Sequence, residues 1–341
     1  MLKKRLMAML MAGVMATTLT ACGGSSSSGG ESTASGSGSN ASADNGDIKI
    51  SFIMKTLASE HWQFMKAGAE AAAEDLGVTV DIKGPPSETS YDDQQNQIET
   101  DLAADYDAYC IAPLQSDLVA NLISGQTTPI IAVDTNIDAP EVISFVGTGN
   151  EAAAKAGAEA AVELAKAAGW EEINCIEIAG VQGDATNTAR MTGYQKGIEE
   201  SGGTFLADET QYADAVADKA VNAMEAIMQT HPEGVAIICA NNDDMAVAAA
   251  RTAQESGNEN YKNTIFLGFD GQITACESIL NGQLTLTAAQ QAYDMGYLAV
   301  ETALKAAKGE KVDEVVDSGT EIVTTENAQE RIDRLNGYLG K

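Results

Sequence analysis

Residues 234–256 read GVAIICANNDDMAVAAARTAQES, and this stretch decides the fold class. Gly234 to Cys239 is a short apolar run with the length of a buried strand, and Asp244 to Ser256 is an alanine-rich run with the length of a helix. The polar group Asn241 to Asp244 separates the two runs. A short strand that leads through a polar turn into a helix is the repeating unit of parallel α/β sheets.

The same unit recurs on both sides of this stretch. Further strands are predicted over Ile48 to Ile53, Val78 to Ile82, Tyr109 to Ile111, Pro129 to Val133, Val142 to Val146, Ile173 to Ile178, Thr204 to Glu209, Thr264 to Phe269 and Leu284 to Ala288. Further helices are predicted over Trp62 to Leu76, Asp92 to Ala104, Ser116 to Ile123, Glu151 to Ala168, Ala189 to Ser201, Ala217 to Thr230 and Thr274 to Leu280. This alternation, with a change of segment near Gly147 to Asn150, predicts an α/β fold of two doubly wound, Rossmann-like parallel-sheet lobes.

The composition excludes several classes of protein. Asp and Glu number 50 against 20 Lys and Arg, a formal net charge of −30. Such a chain has no basic patch for nucleic acid or for an acidic membrane surface. With two His, five Cys and no C-x-x-C pair, the sequence predicts no metal site, no cofactor and no disulfide framework.

The first 47 residues predict export and anchoring. Lys3, Lys4 and Arg5 precede a short apolar run, which ends in the group LTAC at Cys22. This order resembles the lipobox of bacterial lipoproteins, in which the signal (here 1–21) is removed and the cysteine receives lipid. An ordinary signal peptide that ends near a cysteine is the alternative. Residues 22–47 are rich in Gly and Ser, and they predict a flexible tether.

Polar residues follow most of the predicted strands, where parallel sheets bind ligands. These residues are Ser59 to Trp62, Asp134 to Asn136, Gly180 to Asp184 with Thr188 and Arg190, Asn241 to Asp244, Asp270 with Gly271, and Gln290. If the polar ends of two lobes face each other, they form a cleft lined with amides, carboxylates and hydroxyls.

The chain resembles the type I substrate-binding proteins of sugar ABC transporters, of the ribose- and galactose-binding sort. The matching stretches are Ile111 to Pro113 with Ser116 and Asp117, Pro129 to Asp134, Gly180 to Tyr194, Ala240 to Ala246, Gly268 to Gly271, and Leu284 to Gln290 with Asp294 and Gly296. The resemblance implies a type I periplasmic binding protein fold with a three-strand hinge. It implies an N-terminal lobe of residues 48–148 plus 291–317, and a C-terminal lobe of 149–290 plus 318–341.

The resemblance also implies a set of ligand-binding residues. These are Ser59, His61, Trp62, Asp134, Thr135, Thr188, Arg190, Asn242, Asp270 and Gln290. Thr135 and Thr188 stand where the ribose-type pattern has basic residues, which argues against ribose itself. Ala215 replaces an aromatic residue, whose space Tyr212 either fills or leaves open.

Several of these residues have a second interpretation. Trp62 is either a platform for a sugar ring or part of the core, and His61 either donates to the ligand or lies at the rim. Asp134 and Asp270 are either ligand contacts, or helix N-caps or turn residues, which are common roles of Asp after a strand. Arg190 either contacts ligand or pairs with a buried acid.

Other functional classes are disfavoured. Gly180 to Gly183 lacks the G-x-G-x-x-G spacing of a dinucleotide site, and no nucleophile–base pair is evident, so an enzyme is not predicted. Asn241 to Asp244 lacks the spacing of a calcium loop. The export signal and the missing basic helix-turn-helix exclude a DNA-binding regulator.

The sequence therefore predicts a monomeric lipoprotein at the outer face of the cell membrane, or in the periplasm of a Gram-negative cell. It would capture a monosaccharide or related polyol, deliver it to ABC permease subunits, and contact the membrane only through its lipid. The alternative is a sensory protein of the same fold that reports a sugar-like signal to a chemoreceptor or sensor kinase.

Overall fold

Apolar strands and alanine-rich helices alternate from residue 48 onward, and they assemble into two sheets. A computed structural model describes residues 48–339. The predicted signal, Cys22 and the tether lie outside these residues. Within them, no helix has the length and apolar character needed to cross a membrane.

The first sheet is parallel throughout, with strand order β12-β5-β4-β3-β1-β2. Its strands are β1 (Lys49–Ile53), β2 (Thr79–Lys83), β3 (Ala108–Ile111), β4 (Ile130–Val133), β5 (Val142–Gly147) and β12 (Val315–Asp317). The helices that cover it are α1 (Glu60–Leu76), α2 (Tyr91–Leu102), α3 (Ser116–Leu122) and α9 (Ala292–Ala307).

The second sheet has the order β13-β11-β10-β9-β6-β7, with β8 also paired to β6. Its strands are β6 (Asn174–Ala179), β7 (Thr204–Phe205), β8 (Gln211–Tyr212), β9 (Ile237–Ala240), β10 (Ile265–Asp270), β11 (Leu286–Gln290) and β13 (Thr320–Val323). Only β13 runs antiparallel to its neighbour among the pairs described. The helices that accompany this sheet are α4 (Asn150–Ala167), α5 (Ala185–Glu200), α6 (Ala217–Thr230), α7 (Asp243–Ser256), α8 (Ile273–Leu280) and α10 (Ala328–Tyr338).

The chain passes between the two sheets three times: after β5, after β11 and after β12. The first and third passages are tied together, because Ser318 N donates to Gly147 O at 2.9 Å. The hydroxyls of Thr148 and Ser318 lie 3.2 Å apart. These bonds tie two of the crossing segments together, and residues at the carboxyl edges of both sheets line one gap.

Close helix packing fixes the backbone on one side of this gap. A Cβ at Gly193 of α5 would lie 2.2 Å from the carbonyl oxygen of Glu151 in α4, and one at Gly197 would lie 2.5 Å from that of Lys155. Only glycine permits this approach. It brings Arg190 of α5 beside Asn150 of α4, where Arg190 Nε donates to Asn150 Oδ1 at 2.8 Å.

Most predicted element boundaries agree with the structure to within two residues, and three do not. The predicted strand Thr204 to Glu209 is broken, because Ala207–Glu209 forms a 3₁₀ turn between β7 and β8. The strand predicted from Gly234 begins only at Ile237, since Gly234 has a φ of +96°. The helix predicted from Ala189 begins at Ala185, because the Asp184 side chain caps it by accepting from Asn187 N.

A smaller shift concerns a site residue. The strand predicted over Leu284 to Ala288 lies two residues later, as β11 (Leu286–Gln290). Gln290 therefore ends the strand and does not follow it. It is paired in register with Thr320 of β13, which fixes its backbone.

Candidate ligand-binding cleft

A cavity lies between the carboxyl edges of the two sheets, and the atom-free space there, counted together with the open solvent at its mouth, is about 490 Å³. Both lobes contribute to its lining, and most of its side chains are polar. The lining residues are Lys55, Ser59, His61, Trp62, Glu88, Asp134, Gly180, Val181, Asp184, Thr186, Asn187, Arg190, Ala215, Asn241, Asn242, Met245, Asp270 and Gln290.

Two acidic residues of the lining hold unusual backbone conformations. Asp134 directly follows β4 with a φ of +62°, and Asp270 ends β10 with a φ of +118°. Residues other than glycine rarely adopt positive φ, and when they do they cluster at functional sites. Neither acid caps a helix, since the next helices along the chain, α4 and α8, have Gly149 and Gln272 as their N-caps.

Asp270 is the centre of a buried polar cluster. Gln290 Nε2 donates to its Oδ1 at 2.7 Å, and Arg190 Nη1 lies 3.7 Å from the same oxygen. The Gln290 Oε1 atom is buried and has no hydrogen-bond partner within the described chain. The cluster therefore offers the cavity a carboxylate and a free amide oxygen, both of which accept hydrogen bonds from hydroxyls.

Arg190 is fixed mainly by the second lobe. Its guanidinium carbon lies 3.8 Å from the ring centre of Phe269, and Nη1 donates to the carbonyl oxygen of Asn241 at 2.6 Å. With the Asn150 bond and the nearby Asp270 carboxylate, the guanidinium is held in one orientation. Arg190 thus lies beside a buried acid and also lines the cavity.

His61 lies between the two carboxylates of Asp134 and Asp270. Its Nε2 is 3.6 Å from Asp134 Oδ1 and its Nδ1 is 3.8 Å from Asp270 Oδ1. Neither contact is short enough for a hydrogen bond, so both ring nitrogens lack a partner within the described chain. Burial lowers the His61 pKa, but attraction to Asp270 and Asp134 outweighs burial and raises that pKa above its usual value.

Trp62 belongs both to the core of the first lobe and to the cavity lining. Its ring packs edge-on against His61 with centres 5.1 Å apart. Its Nε1 donates to Glu88 Oε1 at 3.0 Å, which anchors the indole. Burial raises the pKa of Glu88, although the nearby Lys55 opposes this effect.

A buried ion pair joins the lobes across the cleft. Lys55, which follows β1 in the first lobe, donates from Nζ to Asp184 Oδ2 in the second lobe at 2.7 Å. Asp134 Oδ2 is 3.6 Å from the same nitrogen. Burial lowers the Lys55 pKa, but Asp184 and Asp134 together raise it well above its usual value, so the side chain is charged. Burial acts to raise the pKa of Asp134, but Lys55 and His61 outweigh it and hold this pKa well below its usual range.

Two asparagines after β9 contribute amides to the cavity. Asn242 caps α7, because its Oδ1 accepts from Met245 N at 2.9 Å. Asn241 donates from Nδ2 to Glu177, while its Oδ1 is buried without a partner in the described chain. Burial raises the pKa of Glu177 to about 8, so this side chain is largely protonated at neutral pH.

Among the described residues, no group of His, Cys, Asp and Glu side chains is arranged to hold a metal ion.

The structure brings most of the predicted ligand-binding residues to this one cavity. The residues that line it are Ser59, His61, Trp62, Asp134, Arg190, Asn242, Asp270 and Gln290. Thr135 and Thr188 do not line it. The Thr135 hydroxyl is buried, donates to Asp134 Oδ2 at 3.0 Å and contacts the Thr186 hydroxyl. Thr188 is exposed, and its hydroxyl donates to the carbonyl oxygen of Asp184 at 2.9 Å. Ala215 lines the cavity, and Tyr212 is largely exposed elsewhere.

Several lining residues were not among the predicted site residues. Lys55 stands two residues beyond β1, and Glu88 lies in the loop between β2 and α2. Asp184 ends the polar stretch Gly180 to Asp184, so its place after β6 was the only signal available for it. Lys55 also follows a strand, and a search of all charged residues within three positions of each strand end would have found it.

Comparison with known proteins identifies similar sequences and structures. The family model described as periplasmic binding protein domain matches residues 50–311. The ribose import binding protein of Escherichia coli (strain K12) is 30% identical over 273 residues, which cover 77% of this chain and 86% of that protein. The D-allose-binding periplasmic protein of the same organism is 32% identical over 270 residues, covering 76% of this chain and 85% of that protein.

Solved structures show the same architecture. A carbohydrate transporter solute binding protein from Agrobacterium radiobacter, in complex with D-arabinose, superposes with a TM-score of 0.77 at 27% identity. That alignment covers 84% of this chain and 98% of the other. An ABC transporter solute binding protein from Mycobacterium smegmatis with bound glycerol gives a TM-score of 0.74 at 29% identity, covering 83% and 96% of the two chains.

Proposed function

The chain belongs to the periplasmic binding protein family, in its type I fold, and from this premise we propose that it captures a monosaccharide or related polyol between its lobes and delivers it to an ABC permease. The observation that carries the proposal is the cavity between the two sheet edges, with its paired hydrogen-bonding groups. The relatives named above are binding proteins for ribose and D-allose, and they favour transport over sensing.

The chemistry of the lining suits an uncharged polyhydroxylated ligand. Each hydroxyl both donates and accepts a hydrogen bond. The carboxylates of Asp134 and Asp270 and the free oxygens of Gln290 and Asn241 accept, while Arg190 supplies donors. The buried Trp62 ring gives the apolar CH face of a sugar a surface to pack on.

The ion pair across the cleft supports a binding cycle by lobe closure. Lys55 and Asp184 belong to different lobes and are in contact, as are the hydroxyls of Thr135 and Thr186. A closed cleft excludes water, so each hydrogen bond to the ligand is stronger and each missing one is more costly. Lobe motion about the three crossing segments would then admit and release the ligand.

The finer features of the sequence interpretation remain part of this proposal. We propose cleavage of the signal after residue 21, lipid attachment at Cys22, a tether to residue 47 and a monomeric body outside the cytoplasmic membrane. The proposed lobes are 48–148 plus 291–317, and 149–290 plus 318–341. We propose no reaction on the ligand, because binding, closure and release are sufficient for transport.

Titration calorimetry tests the proposal. Residues 23–341, which lack the predicted signal and the lipid cysteine, would be titrated with pentoses, hexoses, inositols and nucleosides. We expect one member of the sugar or polyol set to bind with micromolar or better affinity and a stoichiometry of one. An absence of binding across the whole panel would refute the proposed ligand class.

A further inference from the structure

Arg331 of helix α10 is buried and does not line the cavity, but its guanidinium bonds to the backbone of residues that do. Its Nη2 donates to the carbonyl oxygen of Gln290 at 2.6 Å and to that of Asp270 at 3.1 Å. Its Nε donates to the carbonyl oxygen of Gly271. One side chain therefore ties together the ends of the neighbouring strands β10 and β11.

The backbone at the end of β10 has a conformation that the surrounding structure must hold. Asp270 has a φ of +118°, and Gly271 has a φ of +70°. A residue other than glycine keeps such a conformation only where its surroundings fix it. A Cβ at position 271 would lie 2.5 Å from Arg331 Nε, so the glycine there gives the guanidinium room to reach the carbonyl groups.

The guanidinium itself is held by the second lobe. Arg331 Nη1 donates to Glu321 Oε1 of β13 at 2.7 Å, so the buried positive charge has an acidic partner. The flanking residues Ala328 and Ile332 of α10 belong to the core of the second lobe. Core packing and an ion pair thus set the position of Arg331, and neither depends on a ligand.

The residues whose carbonyl groups Arg331 binds supply hydrogen-bonding side chains to the cavity. Gln290 Nε2 donates to Asp270 Oδ1 at 2.7 Å, and Gln290 Oε1 is buried without a partner within the described chain. A backbone shift at either residue would change where the carboxylate and the free amide oxygen lie. The arrangement of these acceptors therefore depends on the bonds from Arg331.

We propose that Arg331 is a positioning residue for ligand binding, which holds the side chains of Asp270 and Gln290 in the arrangement that a ligand meets. It acts through their backbone carbonyl groups and does not contact the ligand. This inference rests on the proposed function, since it requires a ligand that binds in the cleft.

Hydrogen exchange without ligand tests the structural half of the proposal. Wild-type residues 23–341 would be compared with Arg331→Met, which removes the donors, and with the control Arg334→Met. Arg334 lies on the same helix and also donates to Glu321, so its loss removes a similar ion pair. We expect Arg331→Met to exchange faster in peptides that span 265–273 and 286–291, and Arg334→Met to match wild type there. Uniformly faster exchange over the whole protein would overturn the inference.

Titration calorimetry tests the functional half. The same three proteins would be titrated with D-ribose, D-allose, D-arabinose and myo-inositol. For the strongest ligand we expect Arg331→Met to weaken binding by at least about tenfold and Arg334→Met to leave it unchanged. A residue with a merely structural role would lower the unfolding free energy and leave the affinity of the folded protein within about twofold of wild type, which would overturn the inference.

A double-mutant cycle shows whether Arg331 acts through Asp270. Because the two residues would serve the same contact, we expect Arg331→Met to cost less affinity in an Asp270→Asn background than in wild type. Equal losses in the two backgrounds would contradict the proposal.

Two further outcomes are distinguishable. A wild-type protein that binds no member of the panel would refute the proposed function together with this inference, whereas normal wild-type binding with an unaffected Arg331→Met would refute this inference alone. If Arg331→Met does not fold, Arg331→Lys takes its place under the same criteria. The lysine keeps the charge beside Glu321 but lacks the planar fork of donors that reaches several carbonyl groups at once.

Discussion

Replacement of Asp270 by asparagine should weaken ligand binding while preserving the shape of the site. The amide oxygen introduced by this substitution could still accept the hydrogen bond that Gln290 Nε2 donates at 2.7 Å, so the local packing remains. The change removes the negative charge that lies 3.7 Å from Arg190 and 3.8 Å from His61. It also removes one charged acceptor for ligand hydroxyls.

The size of the effect follows from the hydrogen bonds lost. A hydrogen bond to a charged group contributes about 1.5–3 kcal/mol in a desolvated site. One such bond corresponds to a dissociation constant about 10- to 150-fold weaker. Calorimetric titration of Asp270→Asn beside wild type measures this change directly.

An exposed aspartate serves as the matched control. Asp208 lies in the 3₁₀ turn after β7, away from the cavity, and Asp208→Asn changes the net charge by the same amount. We expect Asp208→Asn to bind like wild type, and thermal unfolding to show that both variants are folded. An affinity of Asp270→Asn within about twofold of wild type would remove Asp270 from the site.

Three further predictions concern stability. The raised pKa of His61 contributes stability that is present below the ordinary pKa of 6.5 and is lost as pH rises through the pKa of the folded protein. In urea unfolding, His61→Gln should therefore lose more stability at acidic than at alkaline pH. An equal loss at both pH values would contradict this prediction. Because burial raises the Glu177 pKa from 4.5 to about 8, the contribution of this residue to stability falls as pH rises across that interval. The stability of Glu177→Gln relative to wild type should therefore rise by about 1–3 kcal/mol between pH 5 and pH 8, and parallel pH curves of the two proteins would refute the argument. Gly193→Ala should lower the free energy of unfolding by about 1–3 kcal/mol in chemical denaturation, because the added Cβ would lie 2.2 Å from the carbonyl oxygen of Glu151. The control Gly337→Ala should not destabilise the protein, since a Cβ there would meet no atom within 4 Å. Equal effects of the two substitutions would contradict the packing argument.

The sequence predicted most of the strands and part of the lining because both depend on local patterns, whereas the strands β8, β12 and β13 and the helices α9 and α10 were not predicted. Apolar runs such as Ile130–Val133 mark buried strands whatever lies around them, and parallel strands bring the residues after them to one edge. That rule placed Asp134, Asp270 and Asn242 among the candidates, and they line one cavity. The local sequence did not show that both aspartates have positive φ, because residues other than glycine rarely adopt this conformation.

Contacts between distant segments explain what the sequence did not show. The partner that makes burial of Lys55 tolerable is Asp184, 129 residues later. Thr188 was a candidate because it follows β6, but capping by Asp184 starts α5 at Ala185 and leaves Thr188 exposed on the helix. The role of such residues depends on how the two lobes meet. The hydrophobic periodicity within one segment does not indicate contacts between lobes.

The interleaved path of the chain sets an order for its folding. Apolar residues of α9, including Met295, Ala299 and Val300, belong to the same core as Phe52 of β1, and β12 adds the last strand to that sheet. The first lobe thus lacks part of its core and one edge until residues 292–317 have been synthesised. We expect a nascent chain that ends near residue 290 to expose this apolar face, so the lobe that is begun first is completed after most of the other.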